Sequence, residues 1–467
     1  MRLKASVLVG LLWCLALLSI VVMGLLHFAR GDLLVVKNYG DRIQARYLAL
    51  AGIEKAKALL YQDARNRSRS ARNHTGELSD APQHFRNVPL GRGQFQVFRS
   101  GRADEGGGVV FGVSDEESRL NVNTASSDEL SKLDGMTPDI VAAIMDWRDA
   151  DNQVTPGGAE VDYYASLRPP CQPRNGQLQT VRELLMVRGI SHDLLLGDDT
   201  DQKPLLPADE ADAEGFLASA AGAGPFGAGW AGVLTVDSSV QNVNASGQDF
   251  VNVLSADENT LTSVKGITPD IAKAIVAYRG QNRIQSVADL LDVTAVQTQP
   301  QDQLQGRPRP SQPAQGQAPS GANPQAPSAP VSNPSGPKVV SETLLMDLAD
   351  DLTAQSDRAL PGVVNINTAS LEVLACLPGM NPDLAQAVIS FRQSNGAYPN
   401  IAWLLRVPGM SQPIFKQVAP RVTARSETFR ILSEGRIPSS GARQRIQAVV
   451  HVDLHGLTAL SYREDDL

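Results

Sequence analysis

The stretch Leu120–Arg148 reads LNVNTASSDELSKLDGMTPDIVAAIMDWR. It recurs as VNVLSADENTLTSVKGITPDIAKAIVAYR over Val251–Arg279 and as VNINTASLEVLACLPGMNPDLAQAVISFR over Val364–Arg392. The three copies align without gaps, and each is followed by a related segment: TVRELLMV from Thr180, SVADLLDV from Ser286 and NIAWLLRV from Asn400. A unit repeated this way is one supersecondary piece that buries its apolar face only against neighbours. In copy one, Ser126 and Glu129 have capping-box spacing and open a short helix. Gly135, Gly266 and Gly379 end that helix, where a left-handed residue is needed. Thr137-Pro138, Thr268-Pro269 and Asn381-Pro382 then start a second helix with an N-cap followed by proline at the first helical position. Ile140, Ile144 and Trp147 form its expected buried stripe, matched by Ile271, Ile275 and Tyr278 and by Leu384, Val388 and Phe391. The pattern is a helix-hairpin-helix.

Hairpins of this type often hold a phosphate on free backbone N–H groups at the helix N-terminus. Here proline removes one donor in every copy. Asp139, Asp270 and Asp383 follow directly and set a carboxylate at the positive end of the helix dipole. A formal charge of −8, from 42 Lys+Arg against 50 Asp+Glu, also argues against a phosphate backbone as the main partner. The hairpins therefore read as structural. With 467 residues, 42% hydrophobic and 20% charged, the chain is too long for one ordinary core. Three cysteines exclude a structural zinc cluster and permit one bridge at most, Cys171–Cys376.

Copy one differs from the others by an acidic insertion between Arg148 and Thr180, which opens DADNQVTPGGAEVDYY. Asp149, Asp151, Glu160 and Asp162, with Asp146 on the preceding helix end, gather hard oxygen ligands in a glycine-containing loop. That chemistry suits Ca²⁺, which accepts irregular oxygen coordination. The spacing is not an EF-hand, and a solvated acidic loop is the alternative.

From Ala5 to Ala29 the chain is almost wholly apolar. Twenty-five residues at ~1.5 Å each reach about 37 Å, enough to cross a hydrocarbon core of ~30 Å. The run is longer than the apolar core of a cleaved secretory signal and is read as a retained anchor. Arg2 and Lys4 precede it, which places the N-terminus in the cytoplasm and the bulk of the chain across the membrane. Ile43, Tyr47, Leu50, Ile53, Ala56 and Leu60 continue one apolar stripe on the same helix, with bends expected at Gly31 and Gly40. GQFQVFRS and VVFGVSD near residues 93–115, and Phe429–Leu432 and Arg445–Asp453 near the end, alternate as strands do. Strands on both sides of the repeats imply one sheet with a helical region inserted into it. Ten prolines among Gln, Ser, Gly and Ala between Pro300 and Pro337 mark a disordered linker. His451 and His455 sit in or just after a strand, and no catalytic constellation stands out.

Together these features resemble the minor pseudopilin K of bacterial type II secretion systems. The matching stretches are LLWCLALL with DRIQARYLALAGIEKA, RLNVNTA, DWRDAD…GAEVDYY with ELLMVRGI, VNINTAS and RVTARSETFRI. The resemblance implies an α+β fold: a long N-terminal pilin-type helix and a pilin-like α/β domain with a large inserted α-helical domain carrying the repeats. It implies Ca²⁺ at Asp149, Asp151 and Glu160 first, with Asp146 and Asp162 behind them, and leader cleavage between Ala5 and Ser6. Gly10 stands where major pilins carry the glutamate thought to pair with a neighbour's N-terminal amine, which suits a subunit at the tip of a fibre.

The expected divisions are leader and anchor, 1–29; pilin-like stalk and first strands, 30–118; copy one with its acidic insertion, 119–198; and a loose connection with a short hairpin over Trp230–Asn244, 199–246. Copy two follows at 247–295, the Pro/Gln/Ser linker at 296–340, copy three at 341–420 and the C-terminal strands at 421–467. The function implied is that of a non-enzymatic assembly protein in the bacterial inner membrane. It would initiate and cap the pseudopilus with pseudopilins of the I and J types. The alternative is a membrane-anchored DNA-binding receptor of the competence type.

Overall fold

The computed structural model describes residues 3–70, 77–197, 229–295 and 336–464. Most of the loose connection expected over 199–246 and of the linker over 296–340 therefore lies outside the described residues. Helix α1 (Leu3–Ser70) runs unbroken through Gly31 and Gly40, where bends were expected. Glycine in a helix interior costs about 1 kcal/mol but keeps every backbone hydrogen bond. Among the described residues nothing packs against either glycine, so none of them forces a kink. The membrane-proximal part of α1 is long and apolar enough to cross a bilayer.

Beyond that span α1 lies on an antiparallel sheet of β1 (Val88–Leu90), β2 (Gly93–Ser100), β3 (Val109–Val110), β4 (Ser114–Asp115), β5 (Thr428–Ile437), β6 (Ala442–Val452) and β7 (Leu457–Arg463). The main order is β1-β2-β5-β6-β7, with β3 beside β2 and β4 beside β5. The strands before and after the repeats thus make one sheet, through a ladder in which Gln94–Phe98 pairs with Leu432–Arg436. The alternation of apolar residues on β2 and β5 is what lets one face of this sheet receive the helix.

The helix face on the sheet is Ala45, Leu48, Ala49, Ile53, Ala56, Leu60 and Ala64. Ile43 and Tyr47, expected to begin the buried stripe, are 40% and 61% exposed. The cause lies at Gly435 on β5: a Cβ there would sit 1.9 Å from the Ala45 carbonyl oxygen and 2.6 Å from the Ala49 nitrogen. Backbones this close tolerate only small residues between them, so the bulkier side chains turn to the flanks.

Each repeat is a closed unit larger than its hairpin. Gly135, Gly266 and Gly379 have positive φ, as the hairpin requires. Arg148, Arg279 and Arg392, at the ends of the second helices, donate to backbone carbonyls of the entry turns: Ala125 at 2.6 Å, Val253 at 2.9 Å and Ile366 at 3.0 Å. The first asparagine of each copy, Asn121, Asn252 and Asn365, accepts the backbone N–H two residues on. Its amide nitrogen then reaches the exit segment: Asn121 to Ser238, Asn252 to the Gln355 carbonyl and Asn365 to Ser426.

Entry and exit also pair as short parallel strands. Leu120–Asn121 joins Leu234–Thr235, Val251–Asn252 joins Leu352–Thr353, and Val364–Asn365 joins Val422–Thr423. The hairpin expected over Trp230–Asn244 is therefore not formed. Leu234–Thr235 closes copy one, and Ser239–Gln241 pairs with Ala359–Pro361. Likewise helix Glu342–Leu348 and its following strand complete copy two rather than opening copy three. Phe250–Ser356 is one compact unit, and Met1–Asp249 with Asp357–Leu467 is another.

Within the larger unit, copies one and three are joined by Lys132, whose Nζ donates to the Leu377 carbonyl at 2.7 Å, and by Arg421 on Glu129 at 2.9 Å. Cys171 and Cys376 are free thiols, and burial pushes the Cys376 thiol up to about 12. The close approach at Gly435 gives a direct test. Gly435→Ala should destabilise the folded chain by ~1–3 kcal/mol, read as a lowered thermal midpoint in scanning calorimetry. An unchanged midpoint would show that helix and strand are not in backbone contact.

Candidate metal centre

The acidic insertion leaves helix Pro138–Arg148 at its C-terminal end and returns through Thr155–Gly158 to helix Val161–Ser166. This path brings Asp146, Asp149 and Glu160 together, with one carboxylate oxygen from each within 4.8 Å of the others. Asp146 is fully buried in the last turn of its helix and accepts from the Thr155 amide at 3.2 Å. Asp149 is the C-cap residue one turn on. Glu160 precedes the next helix but makes no capping bond, its side chain being turned to the other acids. A methyl at Gly158 would lie 2.1 Å from Asp146 Oδ2, so glycine there lets the returning chain close over the carboxylate.

The electrostatics are unfavourable to the bare cluster. Glu160 is 2% exposed, and among the described residues neither of its carboxylate oxygens has a hydrogen-bond partner; Asp149 Oδ1 is likewise buried and unpartnered there. Burial, then the neighbouring carboxylates, push both Asp149 and Glu160 above the ordinary carboxylate range. An orphaned buried carboxylate costs several kcal/mol unless a cation or proton compensates it. Hard oxygen donors converging on one point are the donor set a calcium ion takes.

The five acids of the sequence reading do not stand equally. Asp146, placed behind the others there, is one of the three that converge. Asp151 is exposed, accepts from the Gln153 amide at 2.8 Å, and acts on Asp149 and Glu160 through its charge. Asp162 is exposed in the first turn of its helix and does not join the group. The place of Asp146 on the helix end, and its spacing from Ile140 and Ile144, do not show from sequence that it turns toward the returning loop.

The pocket wall is built from the same copy. Trp147 packs edge-on against Tyr164 with ring centres 5.0 Å apart, and its indole N–H donates to Glu183 at 3.0 Å. Arg188 donates to the Gly158 carbonyl at 2.9 Å and lies over the Tyr163 ring. These contacts tie the acidic loop to the segment after it, Val181–Met186.

The hairpin loops have a different chemistry. Thr137, Thr268 and Asn381 side chains accept from Ile140, Ile271 and Leu384 N–H at 3.3, 3.3 and 2.8 Å. One amide that might hold a phosphate is thus already taken in each copy, and Asp139, Asp270 and Asp383 are exposed beside it.

The chain matches two family profiles. That for the type II secretion system protein K covers residues 118–196, and that for the helix-hairpin-helix motif covers 246–309 and 362–423. A type II secretion system protein K from Pectobacterium carotovorum is 26% identical over 199 residues, 41% of this chain and 60% of that one. ComE operon protein 1 of Bacillus subtilis is 34% identical over 73 residues, 16% of this chain and 36% of that protein. The chain thus spans less than two thirds of either relative. Among solved structures, the GspK-GspI-GspJ complex of enterotoxigenic Escherichia coli aligns over 94% of this chain and 99% of its counterpart. Its TM-score is 0.41 at 12% identity, too loose a likeness to argue from. The protein K profile falls on copy one with its acidic insertion, the part that sets copy one apart from the other two copies. Over this region the chain is similar to protein K of type II secretion systems.

Proposed function

We propose that the protein helps to initiate and cap a pseudopilus for protein export, standing at the fibre tip with pseudopilins of the I and J types. It is anchored by α1 in the bacterial inner membrane, with its N-terminus cytoplasmic and its folded units in the periplasm. The observation that carries this reading is the uncovered flank of α1. Tyr39, Ile43 and Tyr47 lie one turn apart on the helix outside its contact with the sheet, and all are exposed. Leu460 and Tyr462 on β7 are exposed apolar residues of the same unit. An apolar stripe continuous with a membrane span suits parallel helices rising from the same bilayer. The inserted helical units add bulk that suits an end position better than the interior of a fibre. The role is one of assembly, without catalysis. Cleavage between Ala5 and Ser6 belongs to the same reading, and N-terminal sequencing of the membrane-purified chain should begin at Ser6.

The acidic centre supports a structural calcium ion held by Asp146, Asp149 and Glu160, with Asp151 adding negative charge from the rim. Bound there, the ion would neutralise buried carboxylates and fix the insertion against copy one.

Two outcomes are expected. Detergent-extracted protein should co-purify with I- and J-type pseudopilins, and Tyr47→Asp should weaken that association without lowering the thermal midpoint. A monodisperse chain that never associates would overturn the assembly role. Ca²⁺ at about a hundred times its Kd should stabilise the protein by about 2.7 kcal/mol, read as a raised midpoint. Glu160→Gln should remove that response and raise the midpoint in chelator, because it deletes an uncompensated buried charge. A midpoint indifferent to millimolar Ca²⁺ would leave a solvated acidic loop.

A further inference from the structure

Outside the metal centre, the chain buries three consecutive acids, Asp115, Glu116 and Glu117, where β4 leads into copy one. Glu116 is neutralised: Arg430 approaches it at 2.8 Å and Arg119 at 3.7 Å, and it accepts from the Thr235 hydroxyl. Among the described residues, Asp115 and Glu117 have no such cation within ion-pair distance. Asp115 Oδ2 accepts from Ser426 Oγ at 2.5 Å, from Asn365 Nδ2 at 3.3 Å and from the Thr368 hydroxyl, while Oδ1 accepts the Glu117 amide at 2.8 Å. Glu117 accepts the Ser239 amide at 3.0 Å and the Thr428 amide at 3.1 Å, and its backbone carbonyl takes the Asn365 amide at 2.7 Å. The two carboxyls are thus buried two residues apart and tied through the Glu117 amide, and every donor just named is neutral. Neighbouring buried carboxyls without a cation are compensated when one of them carries a proton.

The pair stands where the exit of copy one (Ser239), the entry of copy three (Asn365, Thr368), its exit (Ser426) and the start of β5 (Thr428) meet. We propose that Asp115 and Glu117 share one proton and form an acid-strengthened lock between the sheet and the two helical copies of this unit. Loss of the proton leaves adjacent buried anions, and their repulsion loosens the Asn365, Thr368 and Ser426 contacts together.

Other charged groups facing the pair do not remove this dependence. From α1 comes Asp63, which lines the same small cavity as Asp115 and pairs with Arg67 at 3.0 Å. Arg119 and Arg430 are engaged by Glu116. From the exit of copy one comes Asp237, an acid that adds negative charge. From the segment before β5 come Arg425 and Glu427, which pair at 3.7 Å, and from β6 comes His451, 3.8 Å from Glu427 and 3.3 Å from the Thr428 hydroxyl. Burial first, then the Asp115 charge, hold the Glu117 carboxyl well above its usual range. The stability it contributes is therefore fully present below the ordinary glutamate range and is lost as pH rises through the raised folded value.

The test uses the full chain in detergent. Between pH 6 and 9 the unfolding constant of the wild type should increase by up to tenfold per pH unit from this one proton, read as a falling thermal midpoint. In Asp115→Asn the amide donates without a shared proton, and the slope should flatten. Asp237 and Glu427 remain in both proteins, so the difference in slope isolates the pair. An Asp115→Asn slope equal to the wild type overturns the proposal. If that variant does not fold, infrared spectra of the wild type and of Glu117→Gln decide. A protonated carboxyl band at pH 7 that the wild type shows and Glu117→Gln loses supports the lock, and a band unchanged between the two, or absent from both, refutes it.

Discussion

The ladder between β2 and β5 is the constraint on which the rest of this chain depends. Residues 94–98 find 432–436 across the whole inserted region, and until they do there is no sheet for α1 to lie on. Loop-closure entropy grows only with the logarithm of the enclosed length, so a long insertion adds little to the cost of that pairing. Its ends must nonetheless be held, and here they are held well. β4 adds to the start of β5, and the buried acids Asp115–Glu117 take donors from the entry and exit of copy three and the exit of copy one. The sheet and the helical copies of this unit therefore share a polar seam rather than a greasy one. That is consistent with elements that each bury their own core first.

Much of this was legible in the residues. Helix punctuation by Thr-Pro, Asn-Pro and glycine is local chemistry, so the hairpins and their caps follow from the sequence directly. The α+β plan followed from strand-like alternation on both sides of the repeats. What was not legible is long-range. Nothing local in Leu234–Thr235 or Leu352–Thr353 says that each pairs in parallel with the entry strand of its own copy, because two-residue strands carry no periodicity. The stripe at Ile43 and Tyr47 misled for a related reason. Helical periodicity reveals an apolar side, whereas the side that packs was chosen by a glycine far away on β5.

The metal centre shows the same division. The acidic composition of the insertion pointed to oxygen ligation, yet which acids converge depended on how Gly157 and Gly158 fold the chain back over the helix end. Asp146 is recruited by that return, and Asp162 is left outside. The buried run at residues 115–117 had no sequence signal at all, since three consecutive acids ordinarily mark a solvated turn.

The pairing of entry with exit in every copy has an evolutionary corollary. A module whose two ends leave side by side can be spliced into a host loop, or cut out of one, without re-routing the host chain. Phe250–Ser356 has that geometry, with Val251 beside Leu352, and the host segments on either side of it, Ser239–Gln241 and Ala359–Pro361, zip together independently. Gain of copy two by duplication would have asked nothing new of the architecture that received it.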